Sequence, residues 1–460
     1  RDEMVRGNDR VNWVPTEIGQ GRMGEWLKGN VDWALSRERY WGTPLPVWVC
    51  DQESEHIQWI GSFEELERRT GTLESDFDPH RPYIDELNWS CDLCGGTMRR
   101  SPEVIDAWFD SGAMPYAQWN YPFKNEKEFR DHFPADFICE GLDQTRGWFY
   151  SLMAIASMLG EEVPFKNVIV NGLILDSQGQ KMSKSRGNAV DPWDAISSHG
   201  VDAIRWYLVT TSNPWVPKRY DDDAVREGSR RFLDTLLNTY KFFVLYANAE
   251  DWKPSEKVLE EVGQDNLLDA WIKSRLNSVT KEVRVELTAY QLTKAYRALG
   301  EFVSEDLSNW YVRRSRRRFW RSKNNTDKLA AYSALYRTLT DLIKVIAPVA
   351  PYITEEIYSN LILNSKIGDE PESIHLCKFP TFDQSYYDQG LVEKIDTIIS
   401  IVSLGRSARN RANIKNRQPL QNLYIYLADD KNLSEDKLSQ KEILEELNIK
   451  SCQFIENPAE

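Results

Sequence analysis

A predicted strand, a short loop with two lysines and a helix start follow one another in the middle of this chain. Residues 167–176 are rich in β-branched residues and predict a buried strand. Asp191 and Pro192 then form the N-cap and first-turn pair that is typical of a helix start. The loop at residues 179–185 lies between the two elements. This order of strand, loop and helix predicts an α/β domain.

The lysine loop has the chemistry of a polyphosphate site. Lys181 and Lys184 are three residues apart, and Met182, Ser183 and Ser185 complete the loop. Lysine charges stabilise the negative charge that develops on a leaving pyrophosphate. The alternative is an ordinary solvated basic loop, and the loop residues alone leave the choice open.

A polar cluster follows a second predicted strand. Residues 136–139 predict a buried strand because three of the four are apolar, and a polar cluster begins at Glu140. Open α/β sheets bind ligands beyond the carboxyl ends of their strands. A helix is predicted over residues 147–158 from its apolar face. The alternative is that Glu140 and Asp143 only cap that helix.

Composition narrows the class of protein. A chain of 460 residues predicts two to four domains, and its net charge of −14 argues against a generally basic nucleic-acid-binding protein. Six cysteines with one CxxC pair favour a reducing compartment over a disulfide framework. The sequence shows no apolar run of membrane-spanning length and no signal peptide. Because it opens on Arg1, we expect a piece of a larger protein.

The second half of the chain predicts helices and one dense basic cluster. From about residue 223 long helical periods predict a bundle of antiparallel helices. Six arginines lie within residues 313–321, beside aromatic residues that could stack on splayed bases. The alternative is a solvated face paired with Glu305 and Asp306. The candidate RNA-contacting residues are Trp310, Tyr311, Arg313, Arg314, Arg316, Arg317, Arg318 and Trp320.

A CxxC turn followed by two glycines predicts a zinc knuckle. Cys91 and Cys94 can present two thiolates to one tetrahedral Zn²⁺, and Cys50 precedes them on a comparable strand end. Structural sites need four ligands, so we expect either His56 or Glu53 as the fourth. The alternative is a degenerate knuckle held by packing alone.

The N-terminal third contains weaker patterns. Residues 12–15 predict an extended segment and residues 24–27 a short helix. Residues 103–123 carry short apolar runs that predict connecting strands and loops. Three aromatic residues of this region are expected mainly in the core. They are Trp33, Tyr40 and Trp41.

The C-terminal residues predict a small α/β module. A helix is predicted around residues 395–411, a strand at 422–427, a helix at 434–447 and a strand at 452–455. A second run of cations could face phosphates or could simply add surface charge. Its members are Arg406, Arg409, Arg411, Lys415 and Arg417.

The sequence KMSKS at residues 181–185 is the signature loop of class I aminoacyl-tRNA synthetases, and the chain resembles that family over nearly its whole length. The cluster at residues 140–148 resembles the isoleucyl members most. The resemblance implies a Rossmann-type α/β catalytic half-domain, an all-α anticodon-binding bundle and a C-terminal α/β module. The implied regions are a return segment from an editing insertion at 1–48, a connective region at 49–135, the catalytic half at 136–224, the bundle at 225–385 and a tRNA-binding module at 386–460.

The resemblance also implies an activity and its site. A cytoplasmic, monomeric enzyme would join isoleucine to ATP with Mg²⁺ and then transfer it to tRNA(Ile). Glu140 and Asp143 would hold the adenylate through ribose hydroxyls, and Gln144 would face the ammonium of the amino acid. Trp148 would wall the side-chain pocket. Gly141 and Gly172 complete the implied substrate-binding set.

The sequence departs from the family in one respect. The family's His-x-Gly-His motif has no counterpart, since none of the five histidines stands in that pattern. We therefore expect this chain alone to be inactive. The alternatives are a valyl or leucyl enzyme of the same class and a non-catalytic tRNA-binding derivative.

Overall fold

The computed structural model describes residues 1–255, 266–320, 325–365, 369–427 and 433–455. The chain divides into two compact units. Unit 1 is Arg1–Ile174 with Pro214–Lys218, and unit 2 is Leu175–Asn213 with Arg219–Glu460. Within the described ranges, no helix combines the length and the apolar character needed to cross a membrane.

Unit 1 contains the helices and strands of the first 171 residues. Its helices are α1 (Asp2–Asn8), α2 (Gly24–Lys28), α3 (Phe63–Thr70), α4 (Ala107–Ala117), α5 (Glu126–His132) and α6 (Trp148–Met158). Its strands are β1 (Asn12–Val14), β2 (Ser36–Arg37), β3 (Val47–Cys50), β4 (Ile57–Trp59), β5 (Trp89–Ser90), β6 (Thr97–Arg100), β7 (Val104–Ile105), β8 (Ile138–Gly141) and β9 (Asn167–Asn171). Two short strands, β10 (Ile174–Leu175) and β11 (Lys218–Arg219), lie where the chain passes between the units.

Unit 1 contains a three-stranded parallel sheet of order β1-β9-β8. Its central strand β9 is buried because Val168, Ile169 and Val170 are all apolar. Helix α6 buries the apolar residues that its sequence predicted, among them Phe149 and Leu152. The extended segment at the N-terminus, the short helix after it and the strand before Glu140 are confirmed.

The strand predicted over residues 167–176 is interrupted at Gly172. Its backbone N–H donates to the carbonyl of Pro214, 2.9 Å away, instead of continuing the ladder. A Cβ atom at Gly172 would lie 2.7 Å from the carbonyl carbon of Val216. Another backbone segment therefore crosses here, and the prediction of one continuous strand is wrong.

Two other predictions for unit 1 are wrong. Residues 107–117 form helix α4, because Asp106 caps it by accepting from the backbone N–H of Trp108. Tyr40 and Trp41 are 61% and 65% exposed, although Trp33 is half-buried. Both rings contact surface side chains instead. Trp41 stacks on His80 with ring centroids 4.8 Å apart, and the guanidinium of Arg81 lies over the ring of Tyr40.

An antiparallel sheet of order β4-β3-β6-β5 forms a second core within unit 1. Its buried residues include Trp48, Met98 and Cys50. Because β3 ends at Cys50 and the turn between β5 and β6 contains the CxxC pair, this small sheet positions the predicted knuckle.

Unit 2 contains the predicted helical bundle. Its helices are α7 (Pro192–His199), α8 (Val201–Thr210), α9 (Asp222–Ser229), α10 (Thr235–Ala249), α11 (Leu267–Thr288), α12 (Leu292–Glu301), α13 (Arg313–Trp320), α14 (Asn325–Ile346), α15 (Pro351–Leu361), α16 (Gln389–Arg411) and α17 (Lys437–Leu447). A π-helical stretch, Phe302–Val312, joins α12 to α13 without a break. The predicted apolar stripes are buried in one core, with Leu299, Leu307 and Leu339 completely inaccessible.

The C-terminal α/β module is also observed. Strands β12 (Leu420–Tyr426) and β13 (Ile449–Ile455) pair in parallel, with α17 between them in the chain. Helix α16 begins before the predicted position, at Gln389, where Asp388 caps it. This arrangement confirms the predicted types of element.

Candidate functional site

The lysine loop of unit 2 is held by a network of hydrogen bonds. One carboxylate oxygen of Asp176 accepts from the backbone N–H groups of Gln178 and Gln180, at 3.0 and 2.7 Å. Its other oxygen accepts from the side-chain amide of Asn188 at 2.7 Å. This bond and the backbone donors lower the pKa of Asp176. The two ends of the loop are thereby tied together.

Asn188 fixes the centre of the same loop. Its amide oxygen accepts from the backbone N–H of Ser183 at 2.9 Å, and its amide nitrogen donates to the carbonyl of Lys181 at 3.2 Å. The hydroxyls of Ser183 and Ser185 are 2.7 Å apart. The sequence analysis did not identify Asn188, although an amide a few residues after a turn acid is a usual partner for loop backbone.

The two lysine side chains are left for other partners. Lys181 and Lys184 are exposed, and neither ammonium has an ion pair or hydrogen bond with any described residue. Met182 lies between them and packs against the core of unit 2. The loop thus holds its backbone by its own hydrogen bonds while presenting two cations that have no partner in the described ranges, as an anion-binding loop requires.

In unit 1 the predicted polar cluster stands at the carboxyl end of β8. Glu140 and Gly141 are the last residues of that strand, opposite Val170 and Asn171 of β9. The carboxylate of Glu140 is exposed and has no hydrogen-bond partner among the described residues. A Cβ at Gly141 would lie 2.7 Å from a carboxylate oxygen of Asp143, so this carboxylate lies directly over the glycine.

Gln144, rather than either acid, caps the helix that follows. Its amide oxygen accepts from the backbone N–H of Trp148 at 2.9 Å, and its amide nitrogen donates to Asp143 at 3.1 Å. Glu140 makes no such contact with the described part of the chain, so the capping alternative for this acid is wrong. Trp148 is half-buried and donates its indole N–H to the carbonyl of Ser111, 3.1 Å away.

A second tryptophan belongs to this cluster and was missed in the sequence. Trp108 is the second residue of helix α4, is 44% exposed, and its ring would lie 3.0 Å from a Cβ at Gly147. Helices α4 and α6 can approach closely because Gly112 has no side chain, and a larger residue at this position would collide with the backbone of Ser151. The signal for Trp108 was the Asp106 cap two residues earlier, which predicts a helix there.

The structure brings the four predicted knuckle residues together. The ligand atoms of Cys50, His56, Cys91 and Cys94 all lie within 4.8 Å of one another. Two sulfur atoms, of Cys50 and Cys94, are 3.4 Å apart, and the Cys91 sulfur is 3.6 Å from Nδ1 of His56. Such separations suit a tetrahedral ion with metal–ligand distances of about 2.0–2.3 Å.

The surroundings of the knuckle also suit a metal ion. A hydrogen bond from the backbone of Leu93 lowers the pKa of Cys91 to about 7, which favours the thiolate. The backbone hydrogen bond from Gly96 lowers the pKa of Cys94, but the neighbouring sulfur atoms of Cys50 and Cys91 outweigh it and raise this pKa to about 11, so only one thiol of the pair is activated by the protein itself. A Cβ at Gly96 would lie 2.7 Å from the Cys50 sulfur, so glycine is required for the close approach. Of the two alternatives for the fourth ligand, the structure favours His56.

The arginines of the cluster divide into two groups, and those of the first group pair with carboxylates. Arg318 donates two hydrogen bonds to Asp269, at 2.7 and 2.6 Å, and pairs with Asp327. Arg313 and Arg314 pair with Glu446. The predicted partners are not used, since Asp306 pairs with Arg275 and Glu305 accepts from Asn309.

Part of the predicted RNA surface is therefore internal. Tyr311 is completely buried and donates to Asp269 at 2.7 Å, and Trp310 is also buried, so neither ring can stack on a base. These two predictions are wrong. Arg316, Arg317 and Trp320 are exposed, with Arg316 lying 5.7 Å from the ring centre of Phe242. The sixth arginine, Arg321, lies outside the described residues.

The second run of cations is partly structural as well. Arg409 is buried, and its guanidinium donates to the carbonyls of Gln418 and Leu447, at 3.0 and 2.6 Å. Arg406 pairs with Glu446. The side chains of Arg411, Lys415 and Arg417 are exposed.

Two family models match the chain. The first, tRNA synthetases class I (I, L, M and V), matches residues 1–215. The second, the anticodon-binding domain of tRNA ligase, matches residues 269–424. Together they cover the lysine loop, the β8 cluster and most of the helical bundle.

Curated relatives are similar over almost the whole chain. The isoleucine–tRNA ligase of Clostridium novyi (strain NT) is 47% identical over 454 residues, which are 99% of this chain and 43% of that protein. The isoleucine–tRNA ligase of Thermus thermophilus is 47% identical over 457 residues, again 99% and 43%. The chain thus spans less than half the length of these relatives.

Solved structures share the fold at lower identity. A LeuRS–tRNA–LeuAMS ternary complex from Agrobacterium radiobacter K84 has a TM-score of 0.58 and 20% identity, over 81% of this chain and 46% of that one. Methionyl-tRNA synthetase of Mycobacterium tuberculosis, in complex with methionyl-adenylate, has a TM-score of 0.55 and 18% identity, over 82% and 67%.

Proposed function

The chain belongs to the class I tRNA synthetase family, and on that premise we propose that it is part of an isoleucine–tRNA ligase. The complete protein would form isoleucyl-adenylate and pyrophosphate from isoleucine and ATP, and then transfer isoleucine to tRNA(Ile). The observation that carries the proposal is the KMSKS loop, whose backbone is tied by Asp176 and Asn188 while both ammonium groups stay unpaired among the described residues.

The loop lysines would act on the phosphates of ATP. Lys184 would contact the phosphates, and Lys181 would steady the loop on ATP once the nucleotide is bound. In the transition state, charge accumulates on the leaving pyrophosphate, and a positioned ammonium stabilises it more than it stabilises the ground state. Ser183 and Ser185 add hydroxyl donors. Mg²⁺ would arrive with ATP and neutralise part of the phosphate charge.

The β8 cluster would bind the rest of the adenylate. The exposed carboxylate of Glu140 suits the paired hydroxyls of a ribose, and Asp143 lies two residues after Gly141 with its carboxylate turned back toward that glycine. Gln144 has a second lone pair on its amide oxygen beyond the one used by Trp148, so it can still accept from an ammonium. These groups would orient the carboxylate of isoleucine toward the α-phosphate.

Two indoles would wall the side-chain pocket. Trp148 is fixed by its bond to Ser111, and Trp108 approaches Gly147 from the adjoining helix. Flat apolar faces exclude polar side chains. Isoleucine differs from valine by one methylene group, so such a pocket can discriminate between them only modestly, and isoleucyl-tRNA synthetase is the usual example of this limit.

The remaining predicted sites would serve RNA binding and stability. The exposed side chains Arg316, Arg317 and Trp320 would contact tRNA. Zn²⁺ held by Cys50, His56, Cys91 and Cys94 would cross-link the small antiparallel sheet, which is what a structural zinc ion supplies.

The proposal is tested by ATP–pyrophosphate exchange. The complete gene product that contains this chain should exchange pyrophosphate with isoleucine, and much less with valine or leucine. Exchange that prefers leucine would replace the proposal with the leucyl alternative, which the 47% identity to two isoleucine–tRNA ligases does not favour. The 460-residue chain alone should show no exchange above background.

A further inference from the structure

Helix α4 holds both of the indoles that are proposed to wall the amino-acid pocket. Trp108 is the second residue of this helix. Trp148 belongs to α6, but its indole N–H donates to the carbonyl of Ser111 in α4, 3.1 Å away. The placement of both rings therefore depends on where α4 begins and on how it lies against α6.

The start of α4 is fixed by one buried carboxylate. Asp106 is only 5% exposed, and its Oδ1 accepts from the backbone N–H of Trp108 at 2.9 Å. Its Oδ2 accepts from the indole N–H of Trp33 at 3.1 Å and from the guanidinium of Arg37. A carboxylate that accepts from a charged donor and from two further N–H groups is held in one orientation.

The two side-chain donors belong to a segment far from the helix in sequence. Trp33 and Arg37 lie 73 and 69 positions before the cap. Strand β2 of this segment pairs antiparallel with β7, and the backbone N–H of Asp106 donates to the carbonyl of Leu35 at 2.7 Å. The ring of Trp33 also packs on Phe109 of α4, with ring centroids 6.4 Å apart. Backbone, ring and charge of residues 33–37 thus all contact the start of α4.

We infer that Asp106 is a positioning residue for the isoleucine pocket. Its oxygens are engaged by protein donors, so it acts on the substrate only through Trp108. The ring of Trp108 would lie 3.0 Å from a Cβ at Gly147, so a shift of the helix start moves this indole relative to its neighbour Trp148. The inference rests on the proposed isoleucine-activating function and adds residues 33–37 to the parts of the chain that determine its specificity.

The test is the kinetics of ATP–pyrophosphate exchange by the complete gene product that contains this chain. In Asp106→Asn the amide oxygen can still accept from Trp108, but the amide nitrogen then meets the donors of Trp33 and Arg37 and the side chain loses its fixed orientation. Misplacement of a positioned group by about 1 Å can cost about 10²-fold in rate. We expect kcat/KM for isoleucine to fall roughly 10- to 100-fold, chiefly through KM for isoleucine, while KM for ATP stays as in the wild type.

The preference for isoleucine over valine separates positioning from simple helix capping. A hydrophobic pocket resolves one methylene group by about 10- to 200-fold, and this requires close contact with the extra group. The preference should therefore fall at least about threefold in Asp106→Asn. A cap without a positioning role would lower only the melting temperature, so an unchanged preference with an unchanged KM for isoleucine overturns the inference.

A second variant makes a smaller change at the same cap. Trp33→Phe keeps an aromatic ring against Phe109 and removes only the N–H donor to Asp106. Loss of one hydrogen bond should raise KM for isoleucine by about 2- to 10-fold, with a melting temperature close to that of the wild type. Unchanged isoleucine kinetics in this variant contradict the inference, even if Asp106→Asn fails to fold.

The matched control makes the same substitution at another helix cap. Asp436 caps α17 by accepting from the backbone N–H of Leu438 at 3.0 Å, and it pairs with Lys394, also at 3.0 Å. Asp436→Asn should leave the exchange kinetics with both amino acids as in the wild type. If it raises KM for isoleucine as much as Asp106→Asn does, the loss of any capping charge impairs the enzyme and the inference is wrong.

The two proposals fail differently in this experiment. A wild-type protein that shows no isoleucine-dependent exchange overturns the proposed function together with the inference. A wild-type protein that exchanges, while Asp106→Asn keeps both the KM for isoleucine and the preference over valine, overturns the inference alone.

Discussion

Two groups of cations in this chain look similar in sequence but have opposite surroundings in the structure. Lys181 and Lys184 are exposed and have no ion pair with any described residue. Arg314 and Arg318 are largely buried against carboxylates from distant parts of the chain. The comparison teaches that the function of a basic motif depends on whether the fold supplies its counter-charges. A cation with an internal partner serves stability, and a cation without one is available to a ligand.

Among the arginines that are buried against carboxylates, Arg318 offers the strongest test. Replacing it with Met leaves Asp269 buried without its main counter-charge and leaves Tyr311 bonded to that isolated acid. Breaking a buried pair on one side costs about 3–5 kcal/mol. Urea unfolding of the 460-residue chain should show this loss in the transition of unit 2.

Arg316→Met is the matched control for Arg318. Arg316 lies on the same helix and is exposed, so its replacement should change the unfolding free energy by about 0.5 kcal/mol or less. Equal losses for the two variants would remove the distinction between structural and available arginines.

The largest effect on chemistry is expected at Lys184. In the complete protein, Lys184→Ala removes one positioned charge from the leaving pyrophosphate and should slow isoleucine-dependent exchange about 10²- to 10³-fold. Lys241→Ala, an exposed lysine of helix α10, should leave the rate unchanged. Unaltered exchange in the Lys184 variant would return this loop to the solvated alternative.

A smaller effect is expected from the exposed arginines of α13. The double variant Arg316→Gln/Arg317→Gln should reduce the salt slope of tRNA binding by about one to two and leave adenylate formation intact. A loss of exchange activity in this variant would contradict its assignment to RNA. Titration with a tRNA(Ile) transcript and pyrophosphate exchange measure the two properties separately.

The smallest effect is a dependence of stability on pH through Glu446. Burial alone would raise its pKa, but hydrogen bonds from Arg313 and Arg314 outweigh burial and hold the pKa below its ordinary value of 4.5. Because the folded pKa is the lower one, the stabilisation is complete above pH 4.5 and is lost as pH falls through the folded value.

Glu446→Gln should abolish this dependence. The difference in unfolding free energy between wild type and variant should stay constant from neutral pH down to the ordinary pKa of 4.5 and shrink only below it. A difference that shrinks well above this value would mean that the arginines do not hold the carboxylate in its charged form.

The sequence predicted those features that local patterns determine. The cap formed by Asp191, the core face of α6 and the apolar stripes of the bundle depend on residues close in the chain, and all were observed. Cys91 and Cys94 were also predicted, because a CxxC turn followed by glycine is a common metal-binding turn, and Cys50 was predicted from its place at a strand end. The sequence left the fourth residue open between His56 and Glu53.

Helix α4 was missed although its signal, the cap at Asp106, is local. The other failures arise from contact between residues far apart in sequence. Gly172 ends its strand because the backbone of residues 214–217 crosses it. Tyr311 is buried because Asp269 supplies a partner for its hydroxyl. Arg313 and Arg314 are neutralised by Glu446, more than 130 positions later. None of these partners could be identified from spacing or composition.

The central claim is that the loop lysines are available to a ligand, whereas Arg318 holds the fold together. Its most direct test is urea unfolding of the 460-residue chain with Lys181→Gln and Lys184→Gln, beside Arg318→Met. The account predicts that the lysine variant stays within about 0.5 kcal/mol of the wild type. A loss of about 2 kcal/mol or more would show that these lysines have internal partners, and would contradict the claim.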